Sequence, residues 1–333
     1  MKVLFIGGTG LISEAVSRLV VEKGIDLYLF NRGNRPEFIP GDAHLIKGNI
    51  RDREEAERLL QGHSFDVVVN WIAFTPEHIR TDLELFRGKT DQYIFISSAS
   101  AYQKPQTDYL ITESTPLSNP HWQYSRNKIA CEKLLKEEYR ENSFPMTIVR
   151  PSHTYGKTSI PAALNSSAHP WSLVDRMRRG KKVIVHGDGT SLWMLTHNTD
   201  FARAFEGLLG NSKAIGHAFH ITSDEVLNWN QITRAIGRAA GVEPEIVHIS
   251  SDFITEFSPE SEGTLIGDKA VSCVFDNSKI KYFVPGYEAV VPFEKGIGES
   301  IEWFNADPER RSIDEDWNQL MDKIIDAYEK ALP

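Results

Sequence analysis

Residues 2–13 read Lys-Val-Leu-Phe-Ile-Gly-Gly-Thr-Gly-Leu-Ile-Ser, and they give the strongest indication of the fold class. Its apolar first part, residues 2–6, predicts a buried strand that the glycines then end. From Leu11 the apolar residues recur at helical spacing until Gly24 stops the pattern. A strand, a glycine-rich turn and a helix in this order are typical of a segment that binds the pyrophosphate of a dinucleotide.

Small residues inside this turn suit contact with a phosphate. Gly7 can adopt a tight turn, Gly10 lets the backbone approach a pyrophosphate, and the helix N-terminus offers free N–H groups. Ser13 stands where a third glycine usually allows close helix–strand packing. The motif alone leaves open a turn that binds no ligand. The predicted contacts from the turn are Gly7, Thr9, Gly10, Leu11 and Ile12.

Apolar and amphipathic stretches alternate through the first half of the chain. Strands that are apolar throughout and alternate with helices indicate a parallel sheet covered on both faces. The sequence therefore predicts an α/β fold, a Rossmann-type doubly wound parallel sheet with a smaller α/β C-terminal substrate lobe. Predicted strands lie at 2–6, 27–30, 43–47, 66–70, 92–97 and 146–150, and predicted helices at 11–23, 51–60 and 123–141.

The less regular second half sets the predicted domain boundaries. We predict a dinucleotide-binding domain over 1–155, to which 197–225 returns, and a lobe formed by 156–196 and 226–311. A C-terminal helix is predicted over 312–333. Residues 152–169 predict a loop, residues 250–268 a polar excursion, and helices are predicted at 172–179, 199–209, 229–240 and 293–304.

Charge and composition exclude several classes of function. The 333 residues include 37 Lys and Arg against 46 Asp and Glu, a net charge of −9, which disfavours nonspecific binding to nucleic acid or anionic membrane. No apolar run approaches the length of a membrane span. The only cysteines, Cys131 and Cys273, lack metal-ligand spacing, and so do the eleven histidines. We expect reduced thiols, no metal and a cytoplasmic location.

The end of the second strand bears on the choice of dinucleotide. A carboxylate there would accept from the 2′-hydroxyl of NAD, but residues 30–35 read Phe-Asn-Arg-Gly-Asn-Arg. Arg32 and Arg35 could instead bind a 2′-phosphate, unless they are solvated loop charges. We therefore predict NADP or NAD, with a preference for NADP. Asn31 is a further predicted contact, and Asn49 and Ile50 are expected beside the adenine.

A Ser, Tyr and Lys set indicates chemistry at the cofactor. Tyr124 is the one tyrosine of ten with a lysine four residues on, Lys128, and this spacing puts both on one helix face. Ser98 follows the fifth strand, and active sites of parallel sheets lie at the carboxyl ends of strands. A Tyr–Lys pair alone is a weak signal, and an ordinary surface helix is the alternative.

These three residue types support proton transfer coupled to hydride transfer. A free phenol has a pKa near ~10, which a nearby ammonium and an oxidised nicotinamide would both lower. Tyr124 would then act as acid and base at a substrate oxygen, with Ser98 hydrogen-bonded to that oxygen. Lys128 would also hold the nicotinamide ribose.

Across nearly its whole length the chain resembles the extended short-chain dehydrogenase/reductases, the NAD-dependent epimerase/dehydratase family. The resemblance implies that the segment after the sixth strand lines the nicotinamide and substrate, with cofactor contacts from Pro151 and His153. Further expected cofactor contacts are Trp71, Ile72 and Ala73, which follow the fourth strand. The resemblance also implies a homodimer, for which the charged positions Glu132, Lys133 and 136–138 offer a surface. The motifs that carry it are 7–13, Ser98 four residues before Tyr102, Tyr124 with Lys128, 150–156, 186–189 with Asp200, 276–279 and 296–303.

Three departures from the family pattern narrow the substrate. Ala99 and Ser100 replace the Asp-Glu pair of the 4,6-dehydratases, so the resemblance argues against that reaction. Trp193 replaces an arginine that grips the diphosphate of nucleotide sugars, and His153 replaces an asparagine, so such substrates are disfavoured. Trp193 either stacks on a substrate ring or fills the core. The expected substrate contacts are Phe74, Ser100, Tyr102, His153 and Trp193.

The sequence as a whole predicts an enzyme. We expect an NAD(P)-dependent epimerase or oxidoreductase that acts on a sugar-like hydroxyl or carbonyl, and the sequence leaves these two reactions open. The alternative is a catalytically idle regulatory or RNA-associated protein of the same fold, against which the retained Ser98, Tyr124 and Lys128 argue.

Overall fold

Parallel strands form the centre of the computed structural model, which describes residues 1–331. The strands of the described chain are β1 (Lys2–Ile6), β2 (Asp26–Asn31), β3 (His44–Lys47), β4 (Phe65–Asn70), β5 (Thr90–Ile96), β6 (Leu110–Ile111), β7 (Met146–Pro151), β8 (His153–Tyr155), β9 (Val183–His186), β10 (Leu192–Trp193), β11 (Leu195–His197), β12 (Ala218–Ile221), β13 (Leu227–Asn228), β14 (Ile246–Ile249) and β15 (Val274–Phe275).

Helices cover both faces of this sheet and continue into the C-terminal half. The α-helices are α1 (Ser13–Glu22), α2 (Arg53–Leu60), α3 (Pro76–Phe86), α4 (Gln123–Asn142), α5 (Ser172–Arg178), α6 (Asn198–Glu206), α7 (Trp229–Ala240), α8 (Ser251–Phe257), α9 (Ser278–Phe283), α10 (Phe293–Asn305) and α11 (Glu315–Ala331).

The central sheet has the strand order β3-β2-β1-β4-β5-β7-β12, and every pair in it is parallel. The order reverses between β1 and β4, and Ile6 at the end of β1 lies between Phe30 of β2 and Asn70 of β4. Ligands of doubly wound sheets bind outside the carboxyl ends of the strands at this reversal. The predicted fold class is confirmed, and Gly7 directly follows Ile6 at this point.

Alternation along β1 explains why the sheet is buried on both faces. Val3 and Phe5 pack on one side with Val16 and Val20 of α1, whereas Leu4 and Ile6 pack on the other side against a separate cluster. All four β1 side chains are fully buried. Burial of apolar surface on both faces is what fixes this strand at the centre of the sheet.

The C-terminal half builds a second core beside the sheet. β9 pairs with β14 and β10 with β13, and α7 packs against α10. This core is rich in large aromatic side chains, among them Trp193 and Trp229. The domain boundaries given above remain a prediction.

Several element boundaries differ from the prediction. The first helix begins at Ser13 rather than at residue 11, because residues 11–12 still belong to the turn. The predicted excursion at 250–268 contains α8, whose first turn is capped by Ser250, the acceptor from the amide of Phe253 at 3.3 Å. The final helix begins at Glu315, and the predicted residues 332–333 lie outside the described part.

Helix α3 has no counterpart among the helices predicted from the sequence. Its signals are a proline in the first turn, Pro76, and apolar side chains at helical spacing, Ile79, Leu83 and Phe86, which are buried. A mixture of charged residues between them hid this pattern.

Candidate active site

A cleft of about 560 Å³ opens at the carboxyl ends of β1, β4, β5 and β7. The glycine-rich turn 7–13 forms one wall, and Ser98, Tyr124 and Lys128 line the opposite side. A further cavity of about 390 Å³ continues from it toward the ends of β2 and β3 and shares Gly7, Thr9, Arg35, Ile72 and Phe74 with it. Together they form one elongated groove along the sheet edge at the strand-order reversal.

Backbone geometry requires glycine in this turn. Gly8 has a φ of +94°, and a Cβ there would lie 2.5 Å from Leu29 Cδ2. Gly7 has a φ of +104°, and its Cβ would approach Ile72 Cγ2 to 3.2 Å. Ser13, which replaces the usual third glycine, accepts from the Gly10 amide at 2.9 Å. The serine therefore stabilises the turn from within.

Asn31 fixes this turn to the end of β2. Its amide nitrogen donates to the Gly7 carbonyl at 3.0 Å, and its side-chain oxygen accepts from the Gly33 amide at 2.8 Å. Asn31 lines the groove as predicted, but its side-chain nitrogen and oxygen are both hydrogen-bonded to backbone groups of the protein.

The groove near β2 and β3 is lined by basic side chains. Arg32 and Arg35 are exposed there, and Arg51 and His78 join them, while none of the residues that line this part is Asp or Glu. The Arg35 guanidinium stacks 4.2 Å from the centre of the Phe38 ring. The predicted contacts Asn49 and Ile50 line the same part.

Lys128 is buried at the other end of the groove. Its Nζ donates to the carbonyls of Ala73 and Ile96, each at 2.7 Å. Burial lowers the pKa of Lys128 to about 7. The predicted contact Ala73 thus contributes its carbonyl, since its side chain is fully buried and does not line the groove.

Tyr124 is half-buried, and its pKa differs from the prediction. Burial raises the pKa of the Tyr124 phenol, whereas the neighbouring Ser98 hydroxyl opposes this rise. The Lys128 ammonium lies 5.6 Å from the centre of the Tyr124 ring and is directed at backbone carbonyls. In the protein alone, the loss of hydration is the largest influence on the Tyr124 pKa, and the expected lowering by Lys128 is absent.

Aromatic rings surround the Tyr124 side chain. The Trp122 and Phe74 rings lie 5.0 Å and 6.3 Å from it, centre to centre. Phe74 is 43% exposed and lines the groove, as does His153, so these two of the five predicted substrate contacts face it. Burial lowers the pKa of His153 to about 3, which keeps its imidazole neutral. Trp71, Ile72 and Pro151 also line the groove.

Three of the predicted substrate contacts, Tyr102, Trp193 and Ser100, are buried and do not line the groove. Tyr102 is fully buried, and its hydroxyl is hydrogen-bonded to His220 Nδ1 at 2.9 Å. Trp193 is 2% exposed and packs on Trp229, with 5.6 Å between ring centres. Neither lines the groove, because partners distant in sequence hold both in the core. Ser100 lies directly behind Ser98 and is also buried.

Glu132 is not a surface charge, contrary to the prediction. It is fully buried and forms a bidentate ion pair with Arg150, with N–O distances of 2.6 Å and 2.8 Å. Ser97 donates to the same carboxylate at 2.7 Å. The Arg150 guanidinium holds the pKa of Glu132 below its usual range despite burial. The charge pattern of α4 alone could not show this, since the partner lies on β7.

The excursion after α8 packs against residues that flank Tyr124. The Asn119 amide donates to the carbonyls of Ser100 and Gly267, both at 2.8 Å. A Cβ on Gly263 would lie 2.4 Å from Trp122 Cδ1, so the backbone here touches the indole. The contact with Gly267 joins residues 148 positions apart, which sequence patterns do not reveal.

Neither a metal-binding cluster nor a helix able to span a membrane is found among residues 1–331. Among residues 1–331, no group of three His, Cys, Asp or Glu side chains has an arrangement that could hold a metal ion. No helix in this part is long and apolar enough to cross a membrane.

The groove fits a dinucleotide. The turn is a cradle in which a side chain on Gly7 or Gly8 would collide with its neighbours, and basic groups line the far end. Two buried polar atoms of the wall, Ser152 Oγ and Trp71 Nε1, have no hydrogen-bond partner within residues 1–331. Fold and groove together define a dinucleotide-binding protein of the Rossmann type.

Comparison with known proteins agrees with this class. Residues 3–222 match the model of the NAD dependent epimerase/dehydratase family. The chain belongs to this family of extended short-chain dehydrogenase/reductases, which confirms the resemblance seen in the sequence.

The relatives differ in what their names describe. The chain is 30% identical over 261 residues to the chloroplast stem-loop binding protein of 41 kDa b of Arabidopsis thaliana, covering 74% of this chain and 65% of that protein. It is 22% identical over 289 residues to 2′-dehydrokanamycin reductase of Streptomyces kanamyceticus, covering 86% and 80%. UDP-glucose 4-epimerase of Thermotoga maritima superposes with a TM-score of 0.73 at 21% identity, covering 92% and 99%, and shows the shared fold.

Proposed function

We propose that the protein is an NADP-preferring oxidoreductase or epimerase that acts on a sugar-like hydroxyl or carbonyl. The observation that carries this proposal is the convergence of Ser98, Tyr124 and Lys128 in one groove with the glycine-rich turn. These side chains come from the end of β5 and from the first two turns of α4. Hydride chemistry with proton transfer needs such a set beside a nicotinamide.

Each side chain has a definable task. Tyr124 gives a proton to, or takes one from, the substrate oxygen, and Ser98 donates a hydrogen bond to that oxygen. Lys128 would hold the nicotinamide ribose, and the carbonyls of Ala73 and Ile96 keep its amine in place beforehand. A bound nicotinamide would supply or accept the hydride.

The residues around Tyr124 support a sugar-like substrate and argue against a dehydration reaction. The aromatic side chains of Phe74 and Trp122 flank Tyr124, and such rings pack well on a sugar or another ring. None of the residues that line the groove beside Tyr124 is Asp or Glu, which argues against a 4,6-dehydratase. The reductase activity named for the kanamycin relative supports a ring carbonyl as the reacting group.

A spectrophotometric panel tests the oxidoreductase form of this function, since an epimerase would regenerate its cofactor and cause no net loss of absorbance. Purified protein with NADPH or NADH is offered keto sugars and oxidised aminoglycosides, and loss of absorbance at the nicotinamide band is followed. We expect turnover with at least one ring ketone and faster turnover with NADPH. Strong thermal stabilisation by nucleotide sugars with no turnover of free sugars would instead assign a nucleotide-linked substrate.

Arg32 and Arg35 carry the proposed preference for NADP. In the variant Arg32→Ala/Arg35→Ala we expect the affinity for NADP to fall at least ~100-fold, since each hydrogen bond to a charged group contributes ~1.5–3 kcal/mol. Affinity for NAD should change little. Isothermal titration with both dinucleotides measures the ratio. Arg53→Ala, an exposed arginine of α2 outside the groove, is the charge control. Equal losses for NADP and NAD would contradict this role.

An RNA-associated role is the second candidate, because the relative at 30% identity is named as a stem-loop binding protein. The net charge of −9 works against it. A filter-binding assay with stem-loop RNA separates the two candidate functions, since salt-sensitive RNA binding that persists in Tyr124→Phe would favour an RNA-associated role.

We also propose a cytoplasmic homodimer, in which exposed α4 residues such as Lys133 face the partner subunit. Light scattering measures the mass of the assembly and so tests this proposal.

A further inference from the structure

A row of three serine hydroxyls leads from the inside of the protein to the groove. Ser125 Oγ donates to Ser100 Oγ at 2.7 Å, and Ser100 Oγ lies 2.8 Å from Ser98 Oγ. Ser125 is fully buried and Ser100 is 4% exposed, whereas Ser98 lines the groove. Water therefore has little access to the two inner hydroxyls.

Counting protons fixes the direction of these bonds. Each hydroxyl carries one proton, and Ser125 donates its proton in the hydrogen bond to Ser100. If Ser98 also donated to Ser100, the Ser100 proton would be buried without an acceptor, which is costly. Ser100 therefore donates to Ser98, and Ser98 accepts a second bond from the Ser100 amide at 3.2 Å. The proton of Ser98 remains free and points away from these donors.

We propose that Ser100 and Ser125 are positioning residues that direct the proton of Ser98 toward the oxygen at which Tyr124 acts. This inference rests on the role proposed above for Ser98. The two inner serines do not line the groove, so their hydroxyls can influence the reacting oxygen only through Ser98. Hydrogen bonds in a chain polarise one another. The chain Ser125–Ser100–Ser98, called the relay below, therefore also makes Ser98 a stronger donor.

The relay also joins the two elements that carry the reacting side chains. Ser100 belongs to the turn 99–101 after β5, and Ser125 directly follows Tyr124 in the first turn of α4. Asn119 holds the same turn through the Ser100 carbonyl at 2.8 Å. The hydroxyl bond between Ser100 and Ser125 thus keeps Ser98 and Tyr124 in register.

The pKa of Tyr124 reports whether the proton of Ser98 is directed at the phenol, and it can be measured without a substrate. A proton directed from Ser98 at the phenol stabilises the phenolate and lowers the pKa of Tyr124. The protein is labelled with ¹³Cζ-tyrosine, and the Tyr124 resonance is identified by its loss in Tyr124→Phe. We expect Ser100→Ala to raise the pKa of Tyr124 by about 0.5–1, and Ser125→Ala to raise it by less.

Two comparisons separate a relay from general packing. Ser300→Ala removes a fully buried helix hydroxyl that donates to the Gly156 carbonyl, and it should leave the Tyr124 pKa unchanged. The double variant Ser100→Ala/Ser125→Ala should match Ser100→Ala, because Ser125 acts through Ser100. With a substrate in hand, Ser100→Ala should lower kcat about 10-fold and leave KM nearly unchanged.

The outcomes distinguish this inference from the proposed function. If Ser100→Ala and Ser125→Ala both titrate like the wild type while Tyr124→Phe is inactive, the relay is wrong and the function stands. Additive effects of the two serine changes would also contradict the relay. If Tyr124→Phe keeps full turnover, the proposed function is wrong, and the titration still decides whether the three hydroxyls act together.

Discussion

Replacing Tyr124 with Phe is expected to lower kcat about 1000-fold, within the range of a lost general acid or base. The phenol is half-buried in the groove, and the change removes its hydroxyl and keeps the ring that packs on Trp122. Affinity for NADP should therefore stay close to that of the wild type. Steady-state kinetics on the ketone found in the panel, with NADPH titrated separately, measures both.

A matched change on the surface controls for the loss of a phenol. Tyr282 is 81% exposed and lies outside the groove, so Tyr282→Phe should behave as the wild type. Turnover of Tyr124→Phe within a few-fold of the wild type would contradict the mechanism. A parallel loss of NADP binding would instead mean that the phenol has a binding role.

Replacing Glu132 with Gln is expected to destabilise the protein by about 3–5 kcal/mol, because Arg150 is then left buried with no opposite charge. Both side chains are at most 1% exposed. Chemical unfolding, compared with Glu137→Gln on the exposed side of α4, measures the effect. An unfolding free energy equal to that of the control would contradict the importance of this pair.

The pH dependence of this stabilisation follows from the direction of the pKa shift. The pKa of Glu132 is lower in the folded protein than in the unfolded chain. Its contribution is therefore complete above the ordinary pKa range of Glu and is lost as the pH falls through the lower folded value. Wild type and Glu132→Gln should approach each other in stability under acid conditions.

Local patterns predicted the first strand, the turn and the groove. Residues 2–13 hold their own fold signals, and Ser98, Tyr124 and Lys128 meet because strand ends and the helix after β5 converge at one edge of a parallel sheet. Glycine at 7 and 8 follows from backbone geometry that the turn itself requires.

Residues fixed by distant partners escaped prediction. Tyr102 bonds to His220, 118 positions away, and only the folded chain shows that this places its ring in the core rather than in the groove. Glu132 reads as a surface charge until Arg150 of β7 is placed beside it. The Asn119 amide holds Gly267 close to Ser100 by donating to both of their carbonyls. No local sequence pattern predicts this contact, because its partners are distant in the chain.

Transfer of deuterium from the cofactor to the product would show that hydride transfer takes place in this groove. The protein is incubated with NADPH deuterated at either face of C4 and with a ketone substrate found in the spectrophotometric panel. Mass spectrometry then measures the deuterium content of the product. We expect one deuterium in the product from one face of the nicotinamide, and labelled product formed about 1000-fold more slowly with Tyr124→Phe. A product that forms at the normal rate without label from either face would contradict hydride transfer in this groove.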